Sequence, residues 1–393
     1  MEDIVKTGEK VLMHTYSRFP LVFEKGEGVY LYDENGKKYL DFVAGIAVND
    51  LGYNDEGLNK ALEEQMHKLY HVSNLYYTKA NVEAAKTLVD NSALDRVFFC
   101  NSGAEATEAA LKLSRLYAYK FRNKETKIIA MNNSFHGRTF GSITATGQLK
   151  YQKGLGPILP DVVHVPFMDF EAIEKEARSG ACGIIIEPVQ GEGGIRPASK
   201  EFLQKVRALC DELDILLIFD EVQCGIGRSG YLFAYEYFDV VPDVVCMAKG
   251  LGGGFPIGAI LVKEEKAKGF EPGNHASTFG GNALASTASK YVLNKIINEN
   301  ILDNVKEQGI YLKSKLEQLK EKYDFINDVR GIGLMLGMEF EFPVSDIINK
   351  AIDKGLLLLN SGQNIIRFVP PLIISKDEID EGITILDSIL QEI

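Results

Sequence analysis

Cysteine is scarce and scattered. Cys100, Cys182, Cys210, Cys224 and Cys246 are odd in number, widely separated and form no C-x-x-C pair, which argues against a disulfide framework and against a thiolate zinc site. The six histidines show no H-E-x-x-H or comparable ligand spacing, so no metal is expected. Positive charge is also in deficit: 43 Lys and Arg stand against 55 Asp and Glu, for a net charge of -12, and no basic block is available to meet a phosphate backbone. Nucleic acid is not an expected partner. No run of about 18 apolar residues could span a bilayer, and the start, Met1 to Lys6, lacks a basic stretch followed by an apolar one. The expected location is the cytoplasm. Repeats, low-complexity tracts and long linkers are missing too, which points to closely packed units with a cleft between them.

What is present suits a large globular enzyme. The 393 residues, 46% of them hydrophobic, allow one large domain, a smaller one and a sizeable core. Strand-like runs alternate with helix-like ones through the middle of the chain, the pattern of an α/β sheet covered on both faces. The expected strands are Val97 to Cys100, Lys127 to Ala130, Gly183 to Ile186, Ile215 to Phe219, Val244 to Cys246 and Ala259 to Val262. Their continuous β-branched character predicts a mostly parallel sheet. Helices are expected over Glu105 to Phe121 and Glu201 to Leu213. Beyond Asn282 a long helical region to Lys322 precedes strands at Leu334 to Phe340, Leu356 to Leu359 and Ile365 to Phe368, then a helix over Lys376 to Ile393. Near the start, Val29 to Phe42 reads as a hairpin turning at Asn35-Gly36. The expected division is an N-terminal segment, 1–50, contributing to the small domain, a large domain, 51–290, and a C-terminal small domain, 291–393.

Two strand ends carry the chemistry. Val244-Val245-Cys246-Met247-Ala248 stops at Lys249 and opens into Gly250-Leu251-Gly252-Gly253-Gly254, a setting for a buried amine that becomes neutral and attacks a carbonyl. Ile215 to Phe219 ends at Asp220, placing a carboxylate at the same kind of strand end. A lysine that forms a Schiff base with pyridoxal phosphate and an aspartate that pairs with the pyridinium nitrogen need this arrangement. The bland alternatives are a solvated strand end and an ordinary turn. Leu217-Ile218-Phe219-Asp220-Glu221 also reads as a Walker B strand, but no G-x-x-x-x-G-K-[ST] loop occurs to complete it. Asn101-Ser102-Gly103-Ala104 is a small-residue turn before a helix, able to hold phosphate on free amides or simply to cap the helix.

Six ordered motifs lie between residues 101 and 282, within a resemblance that covers nearly the full length: Asn101 to Glu105, Ser134 to Thr139, Glu187 to Gly194, Asp220 to Gln223, Ala248-Lys249-Gly250, and Ser277 to Asn282. With them the chain resembles the class III, or ω-amino acid, branch of the fold-type I pyridoxal-phosphate aminotransferases. The resemblance implies a large domain with a mostly parallel central sheet plus a smaller α+β domain from both termini. It implies pyridoxal 5'-phosphate held by Lys249, Asp220 on the ring nitrogen, and Phe135 and Val222 on the two ring faces. Gln223 is implied near the phenolic oxygen, and Gly103 and Ala104 with Ser102 at the phosphate. Thr278 is implied to reach the phosphate of the neighbouring subunit, which makes a homodimer with shared active sites.

Within that branch the acetylornithine aminotransferase group is most similar, implying N2-acetylornithine, 2-oxoglutarate and glutamate as substrates in arginine biosynthesis. The alternatives are another ω-amine aminotransferase, acting on succinylornithine, ornithine or 4-aminobutyrate, and a related racemase or decarboxylase. By the resemblance Arg138 holds the distant carboxylate of either substrate, and Arg367 holds the α-carboxylate of glutamate, a task suited to planar bidentate pairing. Glu192 pairs with Arg367 when that carboxylate is missing, and Ser277 of the neighbouring subunit contacts substrate. Ile46 stands where ornithine aminotransferases tend to carry a tyrosine, and an isoleucine suits an acylated nitrogen better than a free ammonium. Tyr53, Cys224 and Ala276 depart from the common histidine, threonine and glycine.

Overall fold

A computed structural model describes residues 3–122 and 124–393; Met1 and Glu2 of the amino-terminal segment lie outside the described residues. Near the start, β1 (Phe23–Glu27), β2 (Tyr30–Asp33) and β3 (Lys38–Asp41) form an antiparallel meander. The expected hairpin is β2–β3, its turn closed by Asp33 accepting from the backbone amides of Asn35 and Lys37. The central sheet follows, from β4 (Arg96–Cys100), β5 (Ile128–Met131), β6 (Val162–Val165) and β7 (Gly183–Ile186). A two-stranded finger, β8 (Val189–Gln190) and β9 (Arg196–Pro197), interrupts it before β10 (Leu216–Asp220), β11 (Val244–Met247) and β12 (Gly258–Val262) complete it.

The seven strands run in the order β4-β12-β11-β10-β7-β5-β6. Neighbours pair in parallel except at β12, which lies antiparallel to both β11 and β4. The expected strands are therefore present within a residue or two, with β6 as an unforeseen edge. Strand alternation splits the apolar residues between two faces. One face packs Ile128, Ala130, Ile185, Leu216, Ile218, Val244 and Ile260 against the helix Gly103–Phe121. That helix presents Ala106, Ala109 and Ala110 inward, and such small side chains let it lie close to the strands. The other face buries Ile129, Ile184, Leu217, Phe219, Val245 and Leu261 with the helix Lys200–Leu213 and the rest of the main core.

The last third supplies β13 (Ile326–Ile332), β14 (Met335–Phe340), β15 (Leu356–Leu357), β16 (Leu359–Asn360) and β17 (Ile365–Phe368). Here the structure corrects two expectations. The long helical region is two helices, Ala283–Asn298 and Ile301–Lys322, broken where Asn300 turns left-handed at φ 56°. The single strand expected at Leu356 to Leu359 is two short ones in different sheets: β15 runs parallel to β3 in the amino-terminal meander, whereas β16 pairs with β17. Both chain ends thus share a sheet. Among the described residues no helix is long and apolar enough to cross a membrane.

Candidate active site

Strand register brings the motifs to one edge. Asp220 pairs with Cys246, Met247 with Ala259, and Gly258 with Cys100, so the ends of β10, β11 and β4 lie level across the sheet. Ile186 at the end of β7 is level with Phe219, one residue short of Asp220. Loops leaving parallel strands at a common edge meet in one crevice, the usual ligand position in open α/β sheets. That crevice is a cavity of about 270 Å³ lined by Gly103, Ala104, Phe135, His136, Gly137, Arg138, Glu187, Glu192, Asp220, Val222, Gln223 and Lys249.

Lys249 sits in a left-handed backbone conformation, φ 49°, at the first turn after β11. Burial, and then the positive charge of Arg367, push its amine down from 10.5 to about 8, toward the neutral form a nucleophile needs. Asp220 is buried and fully engaged: Oδ1 accepts from the Val222 amide at 3.0 Å, and Oδ2 lies 2.7 Å from Nδ1 of His136. Burial works against a charged imidazole, but the hydrogen bond and charge of Asp220 outweigh it and hold His136 above its ordinary value. Behind them Glu187 accepts from the amides of Phe135, 3.0 Å, and Gly191, 3.1 Å, and burial pushes it up to about 7.

Ser102 caps the helix Gly103–Phe121, its hydroxyl accepting from the Glu105 amide, and leaves the next amides at a helix N-terminus beside the cavity. Close approach is enforced by glycine: a Cβ on Gly103 would stand 2.7 Å from Val222 Cγ1, and one on Gly258 would stand 2.4 Å from the Ser102 carbonyl oxygen. At the mouth the exposed guanidinium of Arg138 lies 3.9 Å from the ring centre of Tyr151 and 5.5 Å from that of Phe135. Arg367, buried on β17, donates to Glu192 Oε1 at 2.6 Å and to Gln223 Oε1 at 3.0 Å.

Nine of the expected site residues therefore line one cavity, and Arg367 reaches it through Glu192 and Gln223. Ser277 and Thr278 do not: they line a separate cavity with Asn101, Glu105, Glu108 and His275. Ile46 lies in a run of left-handed residues, Ala44 to Ala47, with φ between 48° and 70°. Sequence reasoning gave no role to His136, Glu187 or Tyr151, although the first two stand inside motifs it singled out. Among the described residues no group of His, Cys, Asp and Glu is arranged to hold a metal.

The sequence model for class-III aminotransferases matches residues 11–390. The chain belongs to the class-III aminotransferase family. It is 51% identical over 387 residues to the acetylornithine aminotransferase of Caldanaerobacter subterraneus subsp. tengcongensis, covering 98% of each protein. Among solved structures it is similar to N-acetylornithine aminotransferase from Stenotrophomonas maltophilia K279a, with TM-score 0.85 and 36% identity over 99% of this chain and 98% of that one. It is also similar to the ornithine aminotransferase from Toxoplasma gondii, a structure with partial occupancy of pyridoxal phosphate at the active site, with TM-score 0.96 and 29% identity over 100% of this chain and 94% of that one.

Class-III aminotransferases are fold-type I enzymes that use pyridoxal phosphate. The cavity of this class-III chain fits the cofactor chemically. It combines a buried amine shifted toward neutrality, a hydrogen-bonded carboxylate, a helix start kept open by glycine, and aromatic and aliphatic walls in Phe135 and Val222.

Proposed function

We propose that this aminotransferase moves the δ-amino group of N2-acetyl-L-ornithine to 2-oxoglutarate, giving N-acetyl-L-glutamate 5-semialdehyde and L-glutamate in arginine biosynthesis. It acts in the cytoplasm as a homodimer with shared active sites. In our reading the N-terminal segment 1–50 joins the small domain, 51–290 holds the cofactor, and 291–393 completes the small domain. The observation that carries the substrate reading is the 2.6 Å pair between Glu192 and Arg367 at the cavity.

Bound pyridoxal phosphate supplies an electron sink that makes the amine-bearing carbon of the substrate acidic. Lys249 would hold the cofactor, and its amine would be the base that moves the proton at that carbon; its lowered basicity leaves a useful neutral fraction near neutral pH. Asp220, steadied by His136 Nδ1, would pair with the ring nitrogen and keep its proton in place. The amides of Gly103 and Ala104, with Ser102 near by, take the phosphate. Phe135 and Val222 would flank the ring, Gln223 would lie near its phenolic oxygen, and Thr278 would come from the neighbouring subunit. The exposed Leu75, Tyr76, Tyr77 and Phe279, close in sequence to Asn74 and Ser277, support that partner face.

Two substrates must use one cavity. Acetylornithine presents a δ-amine with its carboxylate far away, whereas glutamate reacts beside a carboxylate. Arg138 takes the distant carboxylate of both, and Arg367 takes the α-carboxylate of glutamate or 2-oxoglutarate. With acetylornithine bound, Glu192 answers Arg367 instead, so the guanidinium is never left buried and unpaired. Ser277 of the neighbouring subunit contacts the acylated end.

Likeness to an ornithine aminotransferase supports a second reading, against which Ile46 offers a free α-ammonium no hydroxyl. Single half-reactions of the loaded enzyme with N2-acetylornithine, N2-succinylornithine, ornithine and 4-aminobutyrate, followed by cofactor absorbance, separate these readings. Fast conversion by acetylornithine, reversed by 2-oxoglutarate, is expected; faster conversion by another amine moves the assignment to it.

A further inference from the structure

Glu192 rides on the turn between β8 and β9, and that turn is poorly held by itself. Its internal bonds, from the amides of Gly194 and Ile195 to the Gly191 carbonyl, are both 3.4 Å long, near the limit at which a hydrogen bond retains strength. Gly194 takes its positive φ, 103°, freely, but Ile195 at φ 49° is a β-branched residue in an unfavourable region, so the backbone there is held by something outside it. Beyond Glu187, which accepts from the Gly191 amide at 3.1 Å, the outside support comes from Ser361. Its hydroxyl donates to the Gly191 carbonyl at 2.8 Å and accepts from the Gly194 amide at 3.0 Å, gripping the turn on both sides of Glu192. Arg330 adds a third contact, donating from Nε to the Gly194 carbonyl at 2.8 Å.

Ser361 is fully buried and stands in the β16–β17 turn, where its own amide bonds to the Ile365 carbonyl at 2.9 Å. Two residues past Ile365 comes Arg367. One short hairpin therefore carries both the arginine and the hydroxyl that holds the backbone of the glutamate's turn. Given the switch proposed above, on which this inference rests, we propose that Ser361 is a positioning residue. It fixes the Glu192 backbone relative to Arg367, so that the switch is made by the Glu192 side chain alone, and it sets how readily a dicarboxylate displaces that side chain.

The direction follows. A substrate α-carboxylate must expel Glu192 from Arg367, so a firmly held turn makes expulsion harder. Losing the Ser361 hydroxyl loosens the turn and lowers that cost. With a net worth of about 1 kcal/mol for such a hydrogen bond, Ser361→Ala should tighten dicarboxylate binding roughly fivefold.

Glutarate, which matches the carbon chain of 2-oxoglutarate but has no reactive carbonyl, serves as the probe, titrated calorimetrically into the pyridoxal-phosphate enzyme. Tighter binding to Ser361→Ala is expected, with no further gain when Ser361→Ala is added to Glu192→Gln, since nothing is then left to position. A merely structural serine would change glutarate binding equally in both backgrounds, and that outcome overturns the proposal, as does unchanged binding in the single variant. Ser361→Cys, near in size with a weak donor, repeats the test should the alanine variant fold poorly. Glutarate binding to the parent enzyme that ignores Arg367→Ala would instead overturn the assigned role of Arg367.

Discussion

At the scale of single residues the site is a set of buried charges whose protonation is decided by their neighbours. Lys249 is the clearest case, its amine lowered to about 8 by burial and by Arg367. In the unfolded chain it regains its ordinary 10.5, so between about 8 and 10.5 the unfolded state binds the proton and the native state does not. Stability from this group rises with pH across that window. Below about pH 8 both states are protonated and the fold carries the full burden of a buried ammonium, roughly 3 kcal/mol for such a shift. In cofactor-free enzyme Lys249→Met should therefore stabilise most below pH 8, and the advantage should shrink toward pH 10.5. Urea titrations of parent and variant at pH 7.5 and 10 check this; an advantage independent of pH would mean the amine is not perturbed.

At the scale of elements the proposed phosphate cradle depends on a helix start pressed against a neighbouring loop. Gly103 is required because a Cβ there would stand 2.7 Å from Val222 Cγ1, and relief comes only by moving Val222 or the helix start. Gly103→Ala should weaken pyridoxal-phosphate binding about tenfold or more while leaving cofactor-free stability within ~1–3 kcal/mol, the usual range for overpacking. Cofactor titration and melting of the cofactor-free protein measure the two separately; a large loss of stability with unchanged affinity would reverse the assignment. The same elements show what a sequence discloses. Continuous runs such as Ile215 to Phe219 announce central strands because both faces are buried. β6, Val162–Val165, was not foreseen because its edge position leaves it half-buried, and β1 reads as polar with Phe-Glu-Lys-Gly-Glu. The antiparallel direction of β12 is illegible, since orientation is set by connections and not by side chains. Lys249 and Asp220 were legible as residues that end apolar runs. His136, Glu187 and Ser361 were not, because their roles arise from contacts between segments far apart in the chain.

For the whole molecule, one buried ion pair ties the chain's three regions together. Arg228 pairs with Asp50 in the amino-terminal region and donates from Nη1 to the carbonyls of Leu334 and Pro370 near the other end. Both partners are about 1% exposed. Backbone bonds run alongside, from Leu372 to Asp50, 2.8 Å, and from Val369 to Phe42, 2.9 Å. Asp50 also presses on the loop of Lys249: a Cβ on Gly250, next to Lys249, would meet its Oδ2. Burial raises Asp50 from 3.8 to about 6, and only the charge and hydrogen bond of Arg228 oppose that rise strongly, with Lys249 adding less. Between those values the native state holds a proton the unfolded chain has lost, so the contribution of this carboxyl to stability falls as pH rises from about 4 to 6. Above pH 6 it levels off because the carboxyl is then ionised in both states. Without the arginine, which opposes the rise, the native carboxyl holds its proton to higher pH and the decline runs further. Arg228→Met should therefore cost less at pH 5, where Asp50 is protonated in either protein, than at pH 8, where stranding a buried carboxylate costs about 3–5 kcal/mol. Adding Asp50→Asn to Arg228→Met should recover much of the loss at pH 8 and remove its pH dependence. Denaturant titrations of the three proteins at both pH values decide the matter. A penalty equal at pH 5 and pH 8 would mean that Arg228 supports the fold through its two carbonyl contacts alone, with Asp50 a bystander.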